Sequence, residues 1–273
     1  MRPDYEILPG KFDPLNTDLI CEFSECGFSF FFQDHKSKYI HGLTMYRFNK
    51  SESERERSEQ LVNILNAEIL SPDFHSILIC VSSGDSILLP ESLFTIETGN
   101  KMLTLVHGEL YNSHTLTEFL DKRKIYTIYS IPEVFYNALQ VKFPKAGFKH
   151  LYTLLLEELP TEGNLLNVII YHNKLVLSLV LDGKIQIIQS FPYESPQDAL
   201  YHILNTCKQF GAGELKLNLS GPVEKDSALY RLIHNYFLDI KFNSVPAGIN
   251  LSEGFKEFPE HYFTHLFSIQ SCE

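Results

Sequence analysis

Cysteine is scarce in this sequence and shows no sign of pairing. The five cysteines form no CxxC motif, and their number is odd: Cys21, Cys26, Cys80, Cys207 and Cys272. A disulfide framework needs paired cysteines, so this scatter excludes a disulfide-stapled secreted domain and favours a reducing compartment. We therefore predict a cytoplasmic protein whose thiols act as small buried side chains.

Long hydrophobic runs are also missing. No stretch approaches the roughly 18 to 20 consecutive apolar residues that a membrane span requires. The N-terminal sequence MRPDYEILPGKFDPLN carries acids and prolines where an export signal would have a hydrophobic core. We therefore expect neither export nor a membrane partner.

Positive charge is sparse. The chain has 23 lysines and arginines against 34 acidic residues, a net charge of −11. Its densest basic group is the tripeptide Lys122-Arg123-Lys124. A nucleic-acid binder normally presents a basic face, because it must displace counterions from the phosphates. We therefore expect no nucleic-acid partner.

Complete catalytic motifs are absent as well. The sequence contains no GxSxG, no Walker A loop and no GxGxxG. His261 and His265 are one helical turn apart, a spacing that suits zinc, with Glu257 or Glu260 as the candidate third ligand. The glutamate of HExxH is missing, so packing is the favoured role of both histidines. We predict no metal site and no catalytic residue.

A repeated order of elements is what the sequence does contain. In the first half, β-forming residues predict strands over 19–23, 28–32 and 39–48. A helix follows, with Ser51 and Glu54 at capping-box spacing, and then an apolar strand over 76–81.

The second half repeats this order at an offset of roughly 140 residues. Strands are predicted over 166–171, 175–181 and 185–191, then a helix capped by Ser195, then a strand over 215–219. Three antiparallel strands and a helix crossover to a parallel strand make a mixed sheet. The agreement of element order, caps and offset favours an internal duplication.

The middle of the chain is less regular. The pattern predicts a strand or turn over 87–94 that enters a helix, a strand over 125–129, and helices over 115–120, 133–141 and 147–159. The sequence LPTEGN at 159–164 is the best linker, so we predict domains over 1–160 and 161–273. The aromatic tail, 244–273, is expected to pack back onto a domain.

Four motifs carry a resemblance to a known family: LLPESLF at 88–94, YSIPEVFYNAL at 129–139, KFPKAGFKH at 142–150 and YHNKLVLSLVLDGKIQIIQSFPY at 171–193. The chain resembles an uncharacterised bacterial family, a domain of unknown function assigned to the actin-like ATPase fold. The resemblance implies an α/β protein of two duplicated ribonuclease H-like halves that face each other across a cleft. Each half would be a mixed sheet flanked by helices. No established activity comes with the family.

In the wider fold, a phosphate loop on the first hairpin and a small-residue turn late in the second half hold ATP. The matching positions here are Glu25 and Gly27, and Ser220 and Gly221. The usual loop aspartate is missing, and Pro222 replaces an expected second glycine. A structural role for these turns is favoured, and the four residues stand as candidate nucleotide contacts.

The other hairpin departs further from the pattern. The turn over 171–174 has neither an acid nor a glycine, and Lys174 is expected to be an ordinary solvated turn lysine.

These departures favour a non-catalytic or weakly nucleotide-binding scaffold that recognises a protein partner or forms a homo-oligomer. Its aromatic tail or the edge of its antiparallel strands would serve for docking. The alternative is an active ATPase or phosphotransferase of the same fold, with Glu22 or Glu25 holding Mg²⁺ and Gly221 admitting the nucleoside. The scaffold requires no cofactor, and the alternative requires ATP with Mg²⁺. The degenerate motifs favour the scaffold and leave enzyme status open.

Overall fold

A computed structural model describes residues 2–49, 51–70 and 73–270 of the chain. The chain folds into two compact units. Unit 1 comprises Met1–Leu154 and Gly248–Glu257, and unit 2 comprises Leu155–Ala247 and Phe258–Glu273. The domain limits 1–160 and 161–273 stay a prediction.

Unit 1 opens with the predicted antiparallel strands and helix crossover. Its first elements are β1 (Tyr5–Ile7), β2 (Thr17–Ser24), β3 (Gly27–Asp34), β4 (Tyr39–Arg47), α1 (Glu54–Leu65) and β5 (Ser76–Val81). β2 pairs antiparallel with β3 and parallel with β5. Every residue of β2 is buried, which suits a central strand that is covered on both faces.

The cap of α1 lies two residues later than predicted. The sequence offers two overlapping capping boxes, and the structure uses the second, in which Ser53 and Glu56 exchange hydrogen bonds. Ser51 is engaged elsewhere, because its N–H and hydroxyl both donate to the Asn49 side chain, at 3.1 and 3.0 Å. The prediction of Ser51 as the cap was therefore wrong.

A small three-stranded sheet follows β5. Its elements are β6 (Ser86–Pro90), α2 (Ile96–His107), β7 (Ser113–Leu120) and β8 (Ile125–Pro132), and α3 (Glu133–Lys142) comes after them. The helix predicted over 115–120 was wrong: these residues belong to β7, which pairs with β8 along its whole length. β-branched and aromatic residues at Thr115, Thr117 and Phe119 suit a strand, and the ladder to β8 outweighs the local capping pattern. β6 and α2 match the strand or turn entering a helix that was predicted at 87–94.

The helix predicted over 147–159 is partly a strand. Residues Gly147–His150 form β9, which pairs parallel with β5, and α4 (Leu151–Glu158) begins only afterwards. Residues 147–150 form a strand and not a helix because the edge of β5 offers them backbone hydrogen bonds. Those hydrogen bonds come from a distant segment, so the local sequence does not reveal them. The order of the sheet is β1-β4-β3-β2-β5-β9.

Unit 2 repeats the arrangement of β2 to β5. Its elements are β10 (Leu165–Ile170), β11 (Lys174–Leu181), β12 (Lys184–Pro192), α5 (Pro196–Gln209), β13 (Lys216–Ser220), α6 (Ala228–His234) and β14 (Ile240–Phe242). The sheet order β12-β11-β10-β13 matches β4-β3-β2-β5 of unit 1, with β14 added at the edge. The duplicated mixed-sheet halves expected from the sequence are confirmed.

Local signals in unit 2 were interpreted correctly. Ser195 caps α5, and its side chain exchanges hydrogen bonds with Asp198 in a capping box. Asp182 and Gly183 form the turn between β11 and β12 with φ of 48° and 72°. Two successive positive φ values are what a tight type I′ hairpin turn requires.

The tail packs back onto the protein, as predicted. It contains β15 (Asn250–Leu251), which pairs with β4, and the short helix α7 (Thr264–Phe267). Six of its described apolar side chains are buried: Phe255, Tyr262, Phe263, Leu266, Phe267 and Ile269. The aromatic tail is therefore not an exposed docking surface, and that expectation was wrong.

Each unit has its own apolar core. In unit 1 the aromatic residues of β2 and β3 pack with α1 and α3, and Phe23, Phe28 and Phe32 are completely buried. In unit 2 the even-numbered residues of β10 pack against α5 and α6. Burying one such side chain stabilises the fold by about 1.5 to 3 kcal/mol.

The described cysteines are free thiols, and Cys21, Cys80 and Cys207 are buried. Burial raises the pKa of the Cys21 and Cys207 thiols, which makes them poor nucleophiles. Cys272 lies outside the described residues. Within the described ranges, no helix combines the length and the apolar character needed to cross a bilayer.

Candidate functional site

The turn between β2 and β3 holds the first two candidate nucleotide contacts, Glu25 and Gly27. The carbonyl oxygen of Tyr46 lies where a Cβ on residue 27 would be, so the close approach of β4 requires glycine there. The carbonyl oxygen of Glu25 accepts a hydrogen bond from the Arg57 guanidinium of α1 at 2.7 Å. Neighbouring elements therefore account for this turn without a ligand, and nucleotide binding at Glu25 and Gly27 stays a prediction.

The turn after β13 holds the other two, Ser220 and Gly221. Ser220 is completely buried. Gly221 has φ of 92°, and the carbonyl oxygen of Ile170 lies where its Cβ would be. Its N–H donates to the carbonyl of His261 at 2.9 Å. This N–H, which a nucleoside-binding turn would present, is thus engaged by the tail. Nucleotide binding at Ser220 and Gly221 also stays a prediction.

Lys174, at the second hairpin, differs from the expected solvated lysine. Its side chain is buried, and its ammonium nitrogen lies 4.8 Å from the centre of the Tyr171 ring. Cation–π attraction helps to compensate a lysine for lost hydration. The Tyr171 carbonyl in turn accepts a hydrogen bond from the Tyr193 hydroxyl at 2.5 Å. Lys174 is therefore part of the packing of unit 2.

The two tail histidines are engaged in other contacts. His261 donates through Nε2 to the carbonyl of Val223 at 2.7 Å, and the buried His265 ring packs edge-on against Tyr171. Among the described residues, no acidic, cysteine or histidine side chain completes a group of three donors with them. The packing role favoured from the sequence accounts for both.

A buried polar cluster lies next to the carboxyl ends of β5 and β9. The Glu118 carboxylate accepts a hydrogen bond from the backbone N–H of His150 at 2.7 Å, and His150 Nε2 donates to the carbonyl of Ser83 at 3.2 Å. Burial raises the pKa of Glu118, although hydrogen bonds from Thr153, Tyr129 and His150 partly oppose the change. Burial, reinforced by the nearby Glu118 charge, raises the pKa of Tyr129. His150 and Ser83 have no exposed surface, so this cluster supports the fold.

Unit 2 contains a polar cavity of about 270 Å³, which we call the asparagine cavity. Asn167 of β10 pairs with Asn218 of β13, and the Asn243 amide donates to the Asn167 side-chain oxygen at 3.4 Å. All three line the cavity together with Glu158, Ser244, Thr264 and Ser268. The buried Asn218 Oδ1 has no hydrogen-bond partner among the described residues. Carboxamides both donate and accept, so the cavity suits a small polar molecule.

A second group of polar side chains lies in unit 1, at the opposite end of β2 from Glu25. We call Asp18, His35 and His75 the Asp18 cluster. The two Asp18 carboxylate oxygens are each 3.0 Å from a histidine Nδ1, one from His35 and the other from His75. Their donor atoms lie within 4.8 Å of one another, as metal ligands do.

Sequence reasoning missed the Asp18 cluster because its residues belong to no motif. Strand register brings them together: Thr17 pairs with Asp34, and Asp18 pairs with Ser76. His35 and His75 therefore flank the start of β2. The predicted hairpin and helix crossover already place the end of β3 and the start of β5 beside the start of β2. The histidines at those two strand ends were therefore the feature from which the cluster could have been predicted.

The comparisons with known proteins agree with this architecture. The model of a family described as a protein of unknown function, DUF3822, matches residues 11–240. No curated protein matches the chain.

Solved structures of the same fold are more distant in sequence. A protein of unknown function with an actin-like ATPase fold from Bacteroides thetaiotaomicron is 18% identical, with a TM-score of 0.77 over 97% of this chain and 100% of that one. A PilM-PilN type IV pilus biogenesis complex gives 10% identity and a TM-score of 0.58 over 94% of this chain and 98% of that one. Together they establish the actin-like fold.

Proposed function

Since the chain belongs to the DUF3822 family, whose description assigns no activity, we propose from its surface that it is a non-catalytic cytoplasmic scaffold that recognises a protein partner. The observation that carries the proposal is an apolar surface on α2, which we call the α2 face. It consists of Met102, Leu105 and Val106, all of them exposed.

The α2 face is more than scattered surface hydrophobicity. Met102, Leu105 and Val106 lie at i, i+3 and i+4, so they share one side of the helix. Gly99 and Leu103, on the adjoining side of the helix, are buried. The side chains of Leu105 and Val106 are 76% and 56% exposed. Exposed apolar side chains grouped on one side of a helix are typical of an interaction site.

Charge indicates what kind of partner would fit. Glu91, Glu97 and Glu109 are exposed around the α2 face. Lys101 and Lys124 are nearby cations, and each is paired with an acidic residue. A partner segment with an apolar side and basic flanks would complement this surface. Two copies of a chain with a net charge of −11 repel each other, so a different protein suits the surface better than a second copy.

The fold comparison supports this function in general terms. The PilM-PilN neighbour shares the fold and occurs in a complex of two proteins. At 10% identity the likeness extends to the fold alone, and the PilN contact is not transferred to this chain. The support is that a protein of this fold occurs in a complex with another protein.

The test combines surface variants with a reconstituted complex. Leu105→Ser with Val106→Ser removes the centre of the α2 face, and Val141→Ser, which changes an 81%-exposed residue of α3, is the matched control. A specific partner should co-purify with the wild type and the control and not with the double variant. With both proteins pure, calorimetry should show at least tenfold weaker binding to the double variant, and weaker binding at higher salt.

Two results would contradict the proposal. One is a purified partner that binds the double variant as tightly as the wild type. The other is self-association of the wild type in sedimentation experiments that the double variant abolishes, because it would assign the α2 face to a second copy.

Nucleotide binding is the rival function, and the fold is what supports it. In this rival function, the residues that would contact Mg²⁺ and ATP are Glu25, Gly27, Ser220 and Gly221. A ligand at 100 times its dissociation constant stabilises a protein by about 2.7 kcal/mol. Millimolar Mg-ATP should therefore raise the melting temperature if the rival is correct, and we expect no increase.

A further inference from the structure

We propose that Asp18, His35 and His75 bind a divalent transition-metal ion of the zinc type. This assignment replaces the sequence-based expectation of no metal site. It is independent of the α2 face and of nucleotide binding.

The donor set suits such an ion. Two imidazole nitrogens and one carboxylate are the ligands that zinc and its neighbours prefer, whereas magnesium and calcium prefer oxygen alone. Zinc–nitrogen and zinc–oxygen bonds of about 2.0 to 2.2 Å in a tetrahedral site place ligand atoms about 3.3 to 3.6 Å apart. The two oxygen–nitrogen distances of 3.0 Å in the cluster are hydrogen-bond lengths, and they would need to lengthen by less than about 1 Å to admit an ion.

The surroundings hold the carboxylate in position. The Asp18 side chain is 6% exposed, and the Ser76 hydroxyl donates to its Oδ1 at 2.7 Å. Outer hydrogen bonds of this kind orient metal ligands. The backbone N–H groups of the two histidines are also fixed: His35 donates to the carbonyl of Asn16, and His75 donates to the carbonyls of Pro14 and Thr17.

The two imidazole rings lie side by side and face the same carboxylate. Their ring centres are 3.7 Å apart, and both direct Nδ1 at one carboxylate. An ion bound at this point would bring all three ligand atoms to one centre with only small movements, because they already lie within 4.8 Å of one another.

The site has an open side. The side chains of His35 and His75 are 34% and 42% exposed, so an ion can enter from solvent and a water molecule can complete the coordination. The ligands come from the start of β2, the end of β3 and the approach to β5. A bound ion would therefore tie three chain segments together and stabilise unit 1.

Calorimetric titration of ZnCl₂ into the chelator-treated full chain at pH 7.5 tests the proposal. We expect one saturable site per chain, a zinc-dependent rise in melting temperature, and a visible absorption spectrum when Co²⁺ replaces zinc. His35→Gln and His75→Gln should each weaken zinc binding at least tenfold, because each removes one of the three ligands. His114→Gln, at an exposed imidazole stacked on Tyr136, is the matched control and should bind as the wild type does.

The proposal is wrong if the wild type shows no saturable site, or if His35→Gln and His75→Gln bind zinc as the control does. If a variant does not fold, NMR of the wild-type histidine rings decides. The His35 and His75 resonances must then shift on zinc addition while that of His114 does not. Shifts confined to other histidines would overturn the assignment.

Discussion

The carbonyl oxygen of Ile170, at the end of β10, occupies the position that a side chain on Gly221 would need. The two residues lie at the carboxyl ends of neighbouring parallel strands, β10 and β13. Glycine is therefore required at position 221, because the backbone of Ile170 approaches too closely to leave room for a side chain. The same turn had suggested a nucleotide site in the sequence.

Gly221→Ala should destabilise the protein by about 3 kcal/mol, since alanine combines an unfavourable positive φ with a backbone clash. Gly211→Ala is the control: its φ is 62° with open space around the added Cβ, so only the conformational cost remains. That cost is about 1 kcal/mol. Urea denaturation of both variants measures the difference, and equal effects would show that the clash with Ile170 is relieved by small shifts.

Glu118→Gln should stabilise the protein at neutral pH and have little effect at pH 4. Burial raises the pKa of Glu118 above its ordinary value of 4.5. Its contribution to stability is therefore complete below pH 4.5 and is lost as the pH rises through the folded-state pKa. Glutamine keeps an oxygen that can accept the His150 N–H and carries no charge to bury.

Melting temperatures of the wild type and Glu118→Gln, measured between pH 4 and pH 8, check this prediction. The difference between the two proteins should grow in favour of the variant as the pH rises. A difference that stays constant across this range would mean that the carboxylate is not penalised by its surroundings.

The two capping boxes should contribute equally, as expected of duplicated elements. Ser53→Ala and Ser195→Ala should each destabilise the protein by about 1 kcal/mol, because each leaves an N–H at a helix start without its acceptor. Ser51→Ala should cost less than about 0.5 kcal/mol, since Ser51 lies outside the cap. Chemical denaturation of the three variants compares them, and a larger loss at Ser51 than at Ser53 would reverse the assignment of the cap.

Local chemistry was enough to predict much of the fold. The aromatic alternation of β3, the Asp182-Gly183 turn and the Ser195 cap each act within a few residues, so they can be recognised without knowing the neighbours. The order of elements in the two halves followed from such signals, and the family resemblance extended them to the fold class.

The errors arose where a distant partner decided the conformation. Residues 115–120 carry a capping pattern, yet β8 supplies a full ladder of hydrogen bonds that makes them a strand. β9 likewise exists because β5 has a free edge beside it. The Asp18 cluster has the same origin, since three side chains far apart in sequence meet only when strand register is known.

The sequence alone determined the doubled strand and helix pattern and the unusual turns at Gly27 and Gly221, because hydrophobic periodicity and turn chemistry are local properties. Only the tertiary structure decided what those turns do and which polar groups converge. Strand pairing brings Tyr46 against Gly27 and Ile170 against Gly221, and it gathers Asp18, His35 and His75 around one carboxylate. Such contacts depend on register between distant segments, which local sequence does not encode.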